Sequence, residues 1–255
     1  MVHIRTIEEI EKIRESSRIV CETLKLMGRE IRPGINTRKL DHMADEFIRS
    51  QGGRSAFKGY RGYPGNICTS IDEQVVHGIP SDRILQEGEI ISIDVGVKKN
   101  GYVGDAAMTF AVGAVEENKL RLMRVTEESL YKGIAQAQPG NHLSDIGHAI
   151  QAHVESHGFG VVRNLVGHGV GRDLHEPPEI PNYGEAGRGP VLKPGMCLAI
   201  EPMVTAGTYE VRLLRDGWTV ITEDRQPSAH FEHTIAIGPN GPQILSQGAE
   251  GNGTW

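Results

Sequence analysis

Apolar residues recur at helical spacing along the first thirty positions, where Ile10, Ile13, Val20, Leu24, Met27 and Ile31 share one face. Thr6 and Glu9 stand ahead of them in a capping-box pattern, and Arg32-Pro33-Gly34 closes the segment. This predicts a helix from 6 to about 31. A second helix is expected from about 37 to 50, stopped by Gly52-Gly53; a third over 116–137, ended by Pro139-Gly140; and a fourth from 143 to about 157. Residues 54–67, rich in Gly and Tyr, read as a loop, and 68–79 as a short strand pair. Residues 90–97 (IISIDVGV) are β-rich, 98–101 (KKNG) supply a turn, and 102–112 return as a second strand, because Asn-Gly is a strong hairpin signal. Further apolar runs at 161–166, 196–204, 218–222 and 231–237 alternate with Gly and Pro turns. No linker divides the chain, so 1–246 reads as one domain and 247–255 as a flexible tail in which Trp255 needs no function.

The pattern repeats. PGINTRKLDHMADEFIRSQG begins at Pro33 and PGNHLSDIGHAIQAHVESHG at Pro139, an offset of 106 that aligns His42 with His148, Ser50 with Ser156 and Gly52 with Gly158. GEIISID, ending at Asp94, matches GMCLAIE, ending at Glu201, at an offset of 107. Each half reads as helix, His-Gly loop, then an apolar strand ending in an acid. The first half offers His77, Asp94 and Asp105; the second offers His168, Glu201 and Glu232. A doubled half implies a pseudo-symmetric fold with a site on its axis.

The acids change the picture most. If Val97 pairs with Tyr102, Asp94 lies directly opposite Asp105; if the loop is only Asn100-Gly101, the two are diagonal neighbours. Both registers put them on one face, because strand side chains alternate with period two. Either they point to solvent, with Ile91, Ile93, Val95 and Val97 as the buried set, or they are buried and need a cation. Glu201 follows MCLAI and precedes Pro202, Glu232 lies in HFEHTIAI, and His168 sits in GHGVG. Oxygen ligands with one imidazole suit Mn, Fe, Co or Zn rather than copper, and a pair of such ions can activate water and polarise a carbonyl.

Composition narrows the class. The chain has 255 residues, 38% of them apolar, enough for one large domain or two fused halves. A net charge of −6 without clustered Lys and Arg gives no nucleic-acid footprint. No apolar run is long enough for a membrane span, and the charged, amphipathic N-terminus lacks a secretory h-region. Three widely spaced cysteines argue against a disulfide framework or a thiolate zinc site, and for a reducing cytoplasm.

The runs EQVVHGIP, IDVGV…GYVGDAAMTF, GHGVGRDLHEPPEIPNYG, KPGMCLAIEPMV and FEHTIAI, in this order and spacing, resemble type I methionine aminopeptidase of the M24 metallopeptidases. The likeness runs from the TIEEIEKIR helix to NGPQIL. It implies an α+β pita-bread fold, a curved antiparallel sheet with helices in two related halves, and two divalent ions (Co, Mn, Fe, Zn or Ni). Asp94 would chelate one ion, Asp105 and Glu232 would bridge both, and His168 and Glu201 would complete the other. Glu201 would also shuttle a proton, His77 would contact the scissile amide, and His175 would hydrogen-bond the substrate carbonyl. Phe57, Tyr60, Tyr63, Cys68, Leu174 and Trp218 fall at the positions that line the family's methionine pocket. Phe57 stands where Cys is common, Leu174 where Phe is common, and His230 where Gln is usual, which touches fine specificity. The implied function is removal of the initiator Met from nascent chains with a small second residue, by a cytoplasmic monomer with transient ribosome contact through its own surface. An Xaa-Pro dipeptidase of the same fold would carry a large N-terminal domain, whereas this chain starts about 90 residues before Asp94. A non-catalytic relative would lack metal ligands.

Overall fold

The computed structural model describes residues 2–247, so the tail expected at 247–255 lies, but for Gln247, outside the described residues. Four long helices form where the periodicity placed them: α1 (Ile7–Glu30), α2 (Thr37–Ser50), α3 (Glu117–Gln136) and α4 (Leu143–Ser156). Thr6 caps α1 as expected: the Glu9 amide donates to Thr6 Oγ1 (3.3 Å) and the Thr6 amide to Glu9 Oε2 (3.0 Å). Asn36 accepts from the Lys39 amide (2.8 Å) at the start of α2.

Among the described residues all strand pairing is antiparallel and divides into four sheets. The first is built on the hairpin Ile90–Lys99/Tyr102–Ala111, in which Lys99 pairs with Tyr102. Its loop is therefore only Asn100 (φ 51°) and Gly101 (φ 82°), the left-handed pair that a twisted two-residue hairpin turn requires. The second hairpin is interrupted. Cys197–Ile200 pairs with His233–Gly238, and Met203–Thr205 pairs with Ser228–His230, in two different sheets. Glu201 and Glu232 occupy the breaks, so the apolar run at 196–204 is two strands rather than one, and the strand in the run at 231–237 begins only at His233.

Other expectations shift in detail. The 54–67 loop contains a short strand, Arg54–Ser55, and a 3₁₀ turn, Tyr60–Gly62. The 68–79 segment does hold two strands, but they do not pair with each other: Cys68–Ile71 joins Ile90–Lys99, and Gln74–Val76 joins Val220–Thr222. That second pairing spans about 145 residues and cannot be read from local pattern.

The internal repeat is real in three dimensions. Helices α2 and α4 coincide end for end at an offset of 106, as do the strands Arg54–Ser55 and Gly160–Val161. Gly34 and Gly140 share φ near +90° (90° and 94°), as do Gly88 and Gly195 (88° and 92°). Even the isolated bridges Asn36–Ile84 and His142–Val191 correspond. Each half has its own apolar core: α1 and α2 bury Val20, Leu24, Leu40 and Ile48 against Ile91, Ile93, Val95 and Val97, while α3 and α4 bury Leu122, Leu130, Ile146 and Ile150 against Leu198, Ile200 and Ile235. A third cluster, including Ile13, Phe57, Tyr63, Leu174 and Ala236, draws on both halves beside the site.

Hydrogen bonds stitch the halves together at the acids. Thr234 Oγ1 donates to the Asp105 carbonyl (2.7 Å) and accepts from the Asp105 amide (3.1 Å). Thr109 Oγ1 does the same for the carbonyl and amide of His230, both at 2.9 Å. The Glu232 amide donates to the Ala107 carbonyl (2.9 Å).

Candidate active site and metal centre

One cavity of about 190 Å³ lies where the halves meet, and all thirteen residues nominated from the sequence line it. Asp94, Asp105, His168, Glu201 and Glu232 stand with the flanking His77 and His175, and Phe57, Tyr60, Tyr63, Cys68, Leu174 and Trp218 form the rest. Arg61, Val76, Leu165, Val166 and Met203 also line it and were not foreseen. Val76 and Met203 lie inside quoted motifs, Leu165 and Val166 just before one, and Arg61 beside Tyr60, but nothing in a single residue of that type marks it as lining.

The hairpin register sets the first two acids. Asp105 pairs with Gly96 and Asp94 with Ala107, so they are diagonal neighbours on one face, and the solvent-facing alternative does not occur. The opposite face, with Ile91, Ile93, Val95 and Val97 fully buried, packs on the helices. Gly96 leaves room for Phe57: a Cβ there would lie 2.4 Å from the ring. The strand Gly167–Gly169 holds His168, and its glycines serve the chain rather than a ligand. A Cβ on Gly167 would meet the Ala199 carbonyl oxygen at 2.4 Å, and one on Gly169 the Pro177 carbonyl oxygen at the same distance. His168 pairs with Ala199, and its counterpart in the first half, by the offset of 107 and the register, is Ser70, not His77. The repeat therefore duplicates the acid and not the imidazole.

Electrostatics demand a counter-charge. Asp105, His168 and Glu232 are 4%, 7% and 2% exposed, and Asp94 Oδ1, Asp105 Oδ1 and Glu232 Oε1 are buried with no hydrogen-bond partner. Burial pushes the Asp94 carboxyl up to about 7. Burial, and then the neighbouring acids, raise Asp105, Glu201 and Glu232 well above the carboxylate range. His168 is pushed down to about 4 by burial; with Nδ1 donating to the Gly169 carbonyl (3.0 Å), its Nε2 keeps a free lone pair. That Nε2 lies 3.5 Å from Glu201 Oε1 and 3.8 Å from Asp105 Oδ2, too far for hydrogen bonds. Donor atoms of Asp105, His168 and Glu232, and separately of Glu201, His230 and Glu232, gather within 4.8 Å. Four carboxylates balance two dications, and an oxygen-rich set with imidazole suits first-row ions. The residues fit a two-ion centre.

Around it, His175 Nδ1 is 2.9 Å from Tyr60 Oη and its ring is 4.2 Å from that of His168. His77 takes φ +60°, a left-handed conformation rare outside glycine and common at functional sites, and its ring meets Trp218 edge-on at 6.4 Å. Trp218 also meets Tyr63 edge-on at 5.1 Å, and the Tyr63 hydroxyl donates to the Gly78 carbonyl (2.9 Å). Between them these rings make one largely apolar wall, with the Tyr63 hydroxyl satisfied by backbone carbonyls.

Residues 11–239 match metallopeptidase family M24. The chain is 53% identical over 247 residues to methionine aminopeptidase 1 of Bacillus subtilis, covering 97% of this chain and 100% of that one. It is 46% identical to the methionine aminopeptidase of Escherichia coli K12, covering 96% and 94%. The crystal structure of methionine aminopeptidase from Thermotoga maritima superposes with a TM-score of 0.96 at 46% identity, covering 97% of this chain and 100% of that one. The prolidase of Pyrococcus horikoshii shares the fold at a TM-score of 0.77 and 24% identity, this chain spanning 63% of it. The chain therefore belongs to metallopeptidase family M24, in its type I methionine aminopeptidase branch.

Proposed function

We propose that Asp94, Asp105, His168, Glu201 and Glu232 hold two divalent ions with which the chain removes the N-terminal methionine from nascent proteins and peptides. The observation that carries this is the convergence of the five ligands, both flanking histidines and the apolar wall on one cavity. Bound ions would supply Lewis-acid polarisation of the scissile carbonyl and a nucleophilic water at neutral pH.

The side chains divide the remaining work. Glu201 takes the proton released by the attacking water and hands it toward the leaving amine. With Tyr60 Oη donating to Nδ1, His175 carries its proton on Nε2 and offers it to the substrate carbonyl oxygen, where negative charge develops. His77 contacts the scissile amide. Tyr60, Tyr63, Cys68, Leu174, Phe57 and Trp218 receive the thioether side chain, for which a soft apolar lining is suited. A free α-amine bound at the carboxylate end limits the enzyme to one residue, and a small second residue fits beside His77 and His175.

We further propose that the chain works as a cytoplasmic monomer that meets emerging chains at the ribosome through its own surface. Three buried free cysteines agree with a reducing compartment, and among the described residues no helix is long and apolar enough to cross a membrane. Amine release from Met-Gly-, Met-Ala- and Xaa-Pro-headed peptides tests the central claim. Turnover of the first two alone is expected; no turnover of either with any divalent ion would overturn it.

A further inference from the structure

His230 is 1% exposed, and neither of its ring nitrogens has a hydrogen-bond partner. A buried imidazole unpaired on both sides is an exception that asks for a partner of another kind. Its backbone is fixed at both amide and carbonyl by Thr109, so the ring projects from a rigid strand end. The ring faces the centre: Nε2 lies 3.7 Å from Glu201 Oε2, while His168 Nε2 lies 3.5 Å from the other oxygen, Oε1. Glu201 thus stands between two imidazoles. Both separations exceed hydrogen-bond length. They lie at or within about 0.1 Å of the ~3.4–3.6 Å that separates two donors each about 2.1 Å from one divalent ion at tetrahedral to trigonal angles. Glu201, His230 and Glu232 form one such group; Asp105, His168 and Glu232 form another; and the two share Glu232.

We propose that His230 is a sixth protein ligand of the centre, giving Nε2 to the ion held by Glu201 and Glu232. This rests on the two-ion reading above. Glu201's ion, which His168 already serves in that reading, then carries an imidazole on each side of this carboxylate, and the added nitrogen donor favours Co, Ni, Fe and Zn over Mn there, because oxygen-rich shells suit Mn better. It also holds Glu201 from the side opposite His168, which orients the carboxylate that moves the proton.

Paramagnetic proton NMR of the full chain loaded with two equivalents of Co²⁺ tests this by counting shifted, exchangeable imidazole N–H signals, assigned by ¹⁵N-histidine labelling. Two signals are expected in the unaltered protein, one in H230Q and one in H168Q. In calorimetric titration H230Q should bind the weaker Co²⁺ at least roughly tenfold less tightly, with a smaller change for Mn²⁺. A single signal, lost in H168Q and kept in H230Q, with two ions still bound, would overturn the ligation by His230 and leave the two-ion reading standing. Failure of the unaltered protein to bind Co²⁺ would overturn both. The signal count in the unaltered protein decides the matter even if a variant does not fold.

Discussion

The hairpin that carries Asp94 and Asp105 runs ten residues a side without interruption, whereas the one that carries Glu201 and Glu232 breaks at both acids and changes sheet there. The side chains follow this difference. A regular strand holds its residues at fixed height above the cavity, and the short Asp reaches far enough. At a break the chain steps away from the ladder, and the longer Glu spans the gap. The second half also carries residues 206–227 between its hairpin arms, a segment for which the first half has only a two-residue turn. That segment brings Trp218 to the pocket and pairs Val220–Thr222 with Gln74–Val76, just before His77. Duplication thus gave two acid-bearing frames, and their divergence separates the tasks: the first half offers a regular floor and His77, and the second brings Glu201, His168, His175 and part of the side-chain pocket.

The sharpest way to break this division is at Glu201. Glu201→Gln keeps the size of the side chain and removes both an anionic ligand and the proton carrier, so kcat/KM should fall by roughly 10³-fold or more, with loss of one ion measured by elemental analysis. Full metal content with full activity would place the proton carrier elsewhere. His175→Ala makes the contrast. It removes a donor to the carbonyl oxygen and no ligand, so kcat should drop roughly 10²–10³-fold while two ions stay bound. Metal loss in that variant would mean that His175 is a ligand.

Removing the ions tests both halves together. Asp94 is raised to about 7 by burial, and Asp105, Glu201 and Glu232 are also raised. A carboxyl whose folded pKa is raised does not disfavour folding below its unfolded value of about 4, and lowers stability as pH rises toward the folded value. The metal-free protein should therefore lose stability between about pH 4 and 7, where ion binding, which displaces those protons, gains strength. At an ion concentration 100 times Kd each ion adds about 2.7 kcal/mol, which is roughly 5–10 °C in Tm for a chain of this size. Scanning calorimetry with and without chelator should show the gap widening from pH 5 to 7.5. A gap independent of pH would mean that the buried carboxyls are not the ligands.

How much of this could be read from the chain follows the range of the interactions. Helix ends were legible because Thr6, Glu9 and the Pro-Gly pairs act within a few residues. The repeat was legible because it is a matter of identity at fixed offset. The acids were legible as anomalies, polar residues in apolar strands. What escaped depends on pairing across a hundred residues or more: the breaks at Glu201 and Glu232, the sheet joined by Gln74–Val76, and the register that makes Ser70, not His77, the counterpart of His168. The close approach that requires glycine on both sides of His168 is also set by the backbone of two neighbouring strands, at Ala199 and Pro177. Likewise His230 read as a departure from a pattern, and only the fold shows that both its nitrogens are unpartnered beside Glu201.

The smallest predicted effect concerns the seam between the hairpins. Thr234 is fully buried and its hydroxyl bonds both the amide and the carbonyl of Asp105, so one side chain from the interrupted hairpin fixes an acid of the regular one. Thr234→Val keeps the β-branched shape and leaves two backbone groups unsatisfied, which should cost about 1–3 kcal/mol in chemical denaturation. Because the change acts on Asp105, ion affinity should weaken as well, by a few-fold, with kcat of the fully loaded enzyme little altered. Thr109→Val is the counterpart, releasing the backbone of His230 instead. If both variants lost stability and Thr234→Val alone loosened Asp105, the halves would be held in register by these two hydroxyls. A loss below about 0.5 kcal/mol in both would mean that the apolar cluster shared between the halves is enough to align the two frames, and that the hydroxyls only satisfy groups the fold has already brought together.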